Sequence, residues 1–145
     1  LGETYTTIEE AKADLLGIHN AFVLAQREEM SQELAENILH TYIGGMFRSI
    51  RFGIQEAHGG ANIIAYNHLV EQGGVVEGEK ITIDPVKAKR ILHDLTAEIL
   101  QIQAHGDREA ATQLIEKYRV VKEKTKTYLD RVKDAPIDIR CTYPY

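Results

Sequence analysis

Ile8, Ala11, Leu15, Ile18 and Phe22 recur at steps of three and four residues. Only a helical turn of 3.6 residues puts such positions on one face, so this spacing fixes a helix near the start of the chain. The stretch reads TTIEEAKADLLGIHN from Thr6 to Asn20. Thr6 and Thr7 are both N-cap residue types with a Glu three positions on (Glu9, Glu10), so a capping box is expected in either register and a helix from about Thr7 to Arg27. With the apolar stripe turned inward, Glu10, Asp14 and Gly17 form a neighbouring stripe, which sets Glu10 and Asp14 one turn apart. Acids early in a helix also complement its dipole without any further role, and that alternative stays open.

The same reading carries along the chain. Ser31 is expected to cap a second helix, with Leu34, Ile38, Tyr42, Phe47 and Ile50 near one face. Gly44 and Gly45 weaken it by about 1 kcal/mol each relative to alanine and predict a kink or a close helix crossing. Arg48 and Arg51 are placed either on a solvated face or within reach of the carboxylates. A third helix is expected from Gln55 to Gln72, closed by Gly73 and Gly74. VVEGEKITI, from Val75 to Ile83, alternates about Glu77 and Gly78 and predicts a short hairpin. Asp84 and Pro85 start a further helix as N-cap and first helical residue, His105 ends it, and Gly106 stops it. Asp107 then caps a last long helix through Ala111, Leu114, Tyr118, Val121, Thr125, Tyr128 and Val132, ended by Asp134, Ala135 and Pro136. The tail PIDIRCTYPY is expected to lie extended. The fold class is therefore all-α, about five helices with one hairpin near 75–83, in a single domain over 1–145.

Composition narrows the function classes. Of 145 residues 43% are apolar, enough for a core, and the net charge of -5 with dispersed basic residues argues against nucleic acid as a partner. No apolar run approaches the roughly 20 residues of a membrane span, so no membrane partner is expected and the chain reads as soluble. The cytoplasm is the expected compartment. Export stays open, because a chain that begins at Leu1 without a signal-like segment leaves room for a leader removed upstream. A lone cysteine, Cys141, offers no internal disulfide and has no histidine near it in sequence.

EEAKAD, from Glu9 to Asp14, resembles the second zinc motif of the dipeptidyl peptidase III family of metallopeptidases, Glu-Glu-Cys-Arg-Ala-Glu/Asp, with Ala11 for Cys and Lys12 for Arg. FGIQEAHGGANIIAYNHLVEQGG, from Phe52 to Gly74, is similar to that family's later helix with an Ala-His pair, and His105-Gly106-Asp107 resembles its Gly-Asp turn. The three occur in the family's order. The resemblance implies that Glu10 ligates zinc, that Glu9 and Asp14 are supporting acids that orient the ligands, and that His58 polarises the substrate and stabilises the oxyanion. Asn62 and Thr112 stand where substrate-contacting arginines are expected, which leaves dipeptidyl specificity open.

The family's first zinc motif, HExxGH, would supply two ligands and the general base, and no such spacing occurs in this sequence. The chain is thus expected to be the C-terminal part of a larger catalytic lobe, inactive alone. Its partners would be the upstream polypeptide carrying HExxGH and a short peptide substrate. Zinc would bind the whole and not the fragment. Relatives can also carry an upstream Nudix-type hydrolase domain. The competing reading is a non-enzymatic helical interaction module, in which the acids only cap a helix. The remaining histidines (His19, His40, His68, His93, His105) lack metal-ligand spacing and are expected to pack or cap.

Overall fold

The computed structural model describes residues 1–136. Among these, six α-helices and one two-stranded antiparallel hairpin follow a short 3-10 turn, Gly2–Thr4. The helices are α1 (Tyr5–Gln26), α2 (Gln32–Ile50), α3 (Ala57–Glu71), α4 (Pro85–His105), α5 (Arg108–Tyr118) and α6 (Glu123–Val132). β1 (Val75–Glu77) and β2 (Ile81–Ile83) lie between α3 and α4. The expected extended tail, with Cys141, falls on 137–145, outside the described residues.

Helix α3 is the axis of the molecule. It packs against α1, α2, α4, α5 and β1, and every residue from Gly59 to Leu69 is buried. Such enclosure leaves no polar face, which explains why Asn62, Asn67 and His68 are buried beside Ile63, Ile64, Tyr66 and Leu69. Around it, α1 turns Ile8, Ala11, Leu15 and Ile18 inward, as the periodicity requires, and α4 contributes Ile91, Leu92, Leu95, Ile99 and Ile102. Each fully buried Ile or Leu contributes about 1.5–3 kcal/mol relative to exposure.

Several helix ends follow the sequence signals. Ser31 Oγ accepts from Leu34 N–H at 3.1 Å, Asp84 Oδ1 from Lys87 N–H at 3.1 Å and Asp107 Oδ1 from Ala110 N–H at 3.0 Å. Past α3, Gly73 takes φ 75° while its N–H reaches Val70 O and the N–H of Gly74 reaches Leu69 O, a Schellman closure. Gly106 ends α4 at φ 62°.

Elsewhere the structure corrects the sequence reading. Neither Thr6 nor Thr7 caps α1, which starts at Tyr5 because the preceding 3-10 turn already supplies helical geometry; Thr4 Oγ1 instead donates to Leu1 O at 2.8 Å. Helix α2 is rotated by about one residue from the expected face. Ala35, Leu39, Ile43 and Met46 are buried with Phe47 and Ile50, while Leu34 is exposed. No neighbour comes close to Gly44 or Gly45, so the close crossing is absent there. It occurs at Gly59 and Gly60 instead, where an added Cβ would lie 2.1 Å from Gly53 O and 2.9 Å from Ile54 O.

The expected last helix is two helices. Asn67 Nδ2, from α3, donates to Tyr118 O at 2.7 Å and Val120 O at 2.8 Å, carbonyls that a continuous helix would keep for its own N–H groups. The chain breaks there through Arg119, at φ -81° and ψ 59°. Helix α6 then clamps the hairpin: Tyr128 OH donates to Gly78 O at 2.6 Å, and Thr125 Oγ1 and Tyr66 OH both donate to Glu77 Oε1. Arg51, the C-cap of α2, closes the end of α6, donating to Val132 O and Ala135 O, each at 2.9 Å.

Candidate metal and substrate site

Glu10 and Asp14 project from α1 one turn apart, as the stripe predicts, and meet the first turn of α3. There His58 Nδ1 lies 2.8 Å from Glu10 Oε1. A carboxylate only accepts, so the imidazole donates from Nδ1. Glu10, Asp14 and His58 each offer one ligand atom, all within 4.8 Å of one another. Asn62, one turn after His58, completes the group, its Nδ2 donating to His58 O at 2.8 Å and to Asp14 Oδ2 at 3.3 Å.

The electrostatics follow from this crowding. Burial pushes the Asp14 carboxyl above the usual range, and the neighbouring Glu10 charge pushes it the same way, while His58 and the Asn62 hydrogen bond oppose the shift. Tyr42, half-buried on α2, has its hydroxyl raised far above the ordinary phenol range by burial and then by the Asp14 charge. The phenol therefore stays protonated beside the acids.

Glu9 points elsewhere. Its carboxylate is 2.7 Å from Lys12 Nζ and accepts from Gln103 Nε2 of α4 at 2.6 Å, so its hydrogen bonds, Lys12 first, hold it below the usual carboxylate range. Of the four candidate residues, Glu10, Asp14 and His58 come together and Glu9 ties α1 to α4. Among the described residues the His105-Gly106-Asp107 turn makes local bonds at the α4–α5 junction, and Thr112 Oγ1 donates within α5 to Arg108 O. His40 likewise bonds the carbonyl of Glu36 one turn back.

His58 is 67% exposed at its side chain and lines an open cleft of about 350 Å³ with Arg48, Ser49, Phe52, Glu56 and Gly59. His58 thus stands between the carboxylate pair and this cleft, which it alone of the three lines. Asn62 is the member that periodicity does not reveal, since in the sequence it reads only as a polar residue one turn from His58.

Comparison with known proteins bears on this arrangement. No protein family model matches the chain. A protein described as Nudix hydrolase 3, from Arabidopsis thaliana, is 38% identical over 149 residues, which takes in 99% of this chain and 19% of the relative. The solved structure of dipeptidyl peptidase III from Caldithrix abyssi has a TM-score of 0.90 and 38% identity, covering 95% of this chain and 27% of that one. Dipeptidyl peptidase III from Corallococcus sp. strain EGB gives 0.88 and 34%, over 94% and 26%. In sequence and in fold the chain is similar to a part of the dipeptidyl peptidase III chains, and it spans about a quarter of their length.

Proposed function

We propose that the chain is the C-terminal part of the catalytic lobe of a zinc-dependent peptidase of the dipeptidyl peptidase III kind, acting on short peptides. The observation that carries this reading is the meeting of Glu10 with His58 across α1 and α3, in a fold similar to that enzyme's. Carboxylate oxygen is a usual zinc donor, and Glu10 offers one with a second carboxylate, Asp14, close by, so the residues suit the ion as one part of a ligand set. Glu10 would hold it, with the other ligands coming from an HExxGH segment that this sequence lacks. When bound, zinc supplies Lewis-acid polarisation of a peptide carbonyl.

This chain's own residues then have distinct tasks. Glu10 accepts from Nδ1–H and so orients the His58 ring. With Nδ1–H held by Glu10, Nε2 is the nitrogen left to face the oxygen on which charge develops. Asp14 adds negative charge behind the pair. Glu9 acts at a distance, by tying α1 to α4 so that Glu10 keeps its place. Alone the chain would be inactive, since one carboxylate does not make a three-ligand site.

The test is His58→Ala in the full-length protein. Loss of one oxyanion donor lowers kcat by roughly 10²–10³, with a smaller change in KM and none in zinc content. Normal turnover per folded molecule would remove His58 from the site. A second reading has its own support: the Arabidopsis relative, matched over 99% of this chain, is described as a Nudix hydrolase. In that reading the same segment belongs to a protein with a Nudix-type hydrolase unit, and the sequence upstream of Leu1 in the gene distinguishes the two.

A further inference from the structure

His58 stands on a helix start with little to hold it. It is the second residue of α3, whose N-cap Glu56 makes no side-chain bond to the first turn. Gly59 and Gly60 come next, and glycine favours a helix least after proline. The imidazole is 67% exposed, so burial does not fix it. Such a turn frays unless something ties it down.

Two features do so. The glycines let the turn lie against the carbonyls of Gly53 and Ile54, where any Cβ would collide. The other is Asn62, which is buried and donates from one amide nitrogen to both His58 O and Asp14 Oδ2. The nitrogen carries two hydrogens, so both bonds are made at once. Asn62 thereby joins the backbone of His58 to the acid one turn along α1 from Glu10, the residue that the His58 ring meets.

We propose that Asn62 is the positioning residue of this site: its bridge between Asp14 and the His58 carbonyl fixes the first turn of α3 to α1 and holds the His58 ring in its Nδ1–H form against Glu10. The catalytic consequence rests on the peptidase reading. The tautomer does not.

The experiment uses the full-length protein and Asn62→Leu, which keeps the volume and removes the donors. Imidazole nitrogen shifts in mildly alkaline solution report the tautomer. The wild type shows His58 as Nδ1–H, and the variant moves toward the Nε2–H form that free imidazole side chains favour in water. Peptide hydrolysis loses about tenfold in kcat, as expected for a misplaced catalytic group, with little change in KM or zinc content. In a His58→Ala background the same substitution changes kcat no further. Should Asn62→Leu fail to fold, Asn62→Ala, which removes the donors without adding bulk or charge, gives the same tautomer shift. Retention of Nδ1–H in a folded variant overturns the proposal, and so does a full further loss of kcat in the His58→Ala background. A tautomer shift in a full-length protein without peptidase activity upholds the positioning role and refutes the peptidase reading alone.

Discussion

His68 is the side chain whose charge this fold resists. Its ring stacks on Tyr118 at 3.7 Å, its Nδ1 is buried without a partner among the described residues, and Glu98 comes no closer than 4.0 Å. Burial holds it below the ordinary histidine range, with Lys117 acting the same way, while the Ile64 carbonyl and Glu71 oppose. The native state therefore binds this proton less readily than the unfolded chain. The sign follows from linkage: stability is fully present above the unfolded value of about 6.5 and falls as pH drops below it toward the lowered native value. Denaturant unfolding across that window should show the loss in the wild type, and His68→Gln should flatten it. An equal slope in both would mean that His68 takes up its proton as readily in the folded protein as in the unfolded chain. At this scale the sequence was half legible. Helical spacing sets Glu10 beside Asp14 but leaves their role open, and the roles of Glu10, Asp14 and His58 come from resemblance, whereas Asn62, Asn67 and His68 lie on a helix enclosed on all sides, where polar residues do not mark a solvent face.

Between elements, the glycines separate what spacing reveals from what it hides. Two glycine pairs look alike in the sequence, yet Gly44 and Gly45 have open space around them while Gly59 and Gly60 sit against backbone carbonyls. Gly44→Ala should therefore stabilise by about 0.5–1 kcal/mol, through helix propensity alone. Gly59→Ala should destabilise by roughly 2–3 kcal/mol or more, because the new methyl group must displace the Gly53 carbonyl. Urea melts of the two variants check this, and similar values would contradict the packing described. Capping residues and the hairpin were legible for local reasons, since Ser31, Asp84 and Asp107 bond within their own first turns. The split between α5 and α6 was not. It has no Gly or Pro, and its cause, Asn67, lies 51 residues from Tyr118. In a continuous helix those carbonyls would go to their own N–H groups and the buried Asn67 amide would lose both acceptors, at a cost of about 1–3 kcal/mol, more than the weak preference of this segment for continuous helix.

At the scale of the molecule, the chain has a core of its own around α3 and, on the proposed reading, only part of a catalytic site. Among the described residues no helix is long and apolar enough to cross a membrane. It spans 26–27% of the dipeptidyl peptidase III chains that share its fold. Whether that fold keeps its chemistry turns on Glu10, the one carboxylate proposed to hold zinc. The direct measurement is zinc per molecule in the full-length protein, by elemental analysis after dialysis, for wild type and Glu10→Ala. Close to one zinc is expected in the wild type and at least a tenfold weaker hold in the variant, with circular dichroism unchanged, because a partly exposed Glu whose cross-helix partner, His58, is itself mostly exposed contributes little to folding. A Glu10→Ala protein that keeps its full zinc content would contradict that role for Glu10.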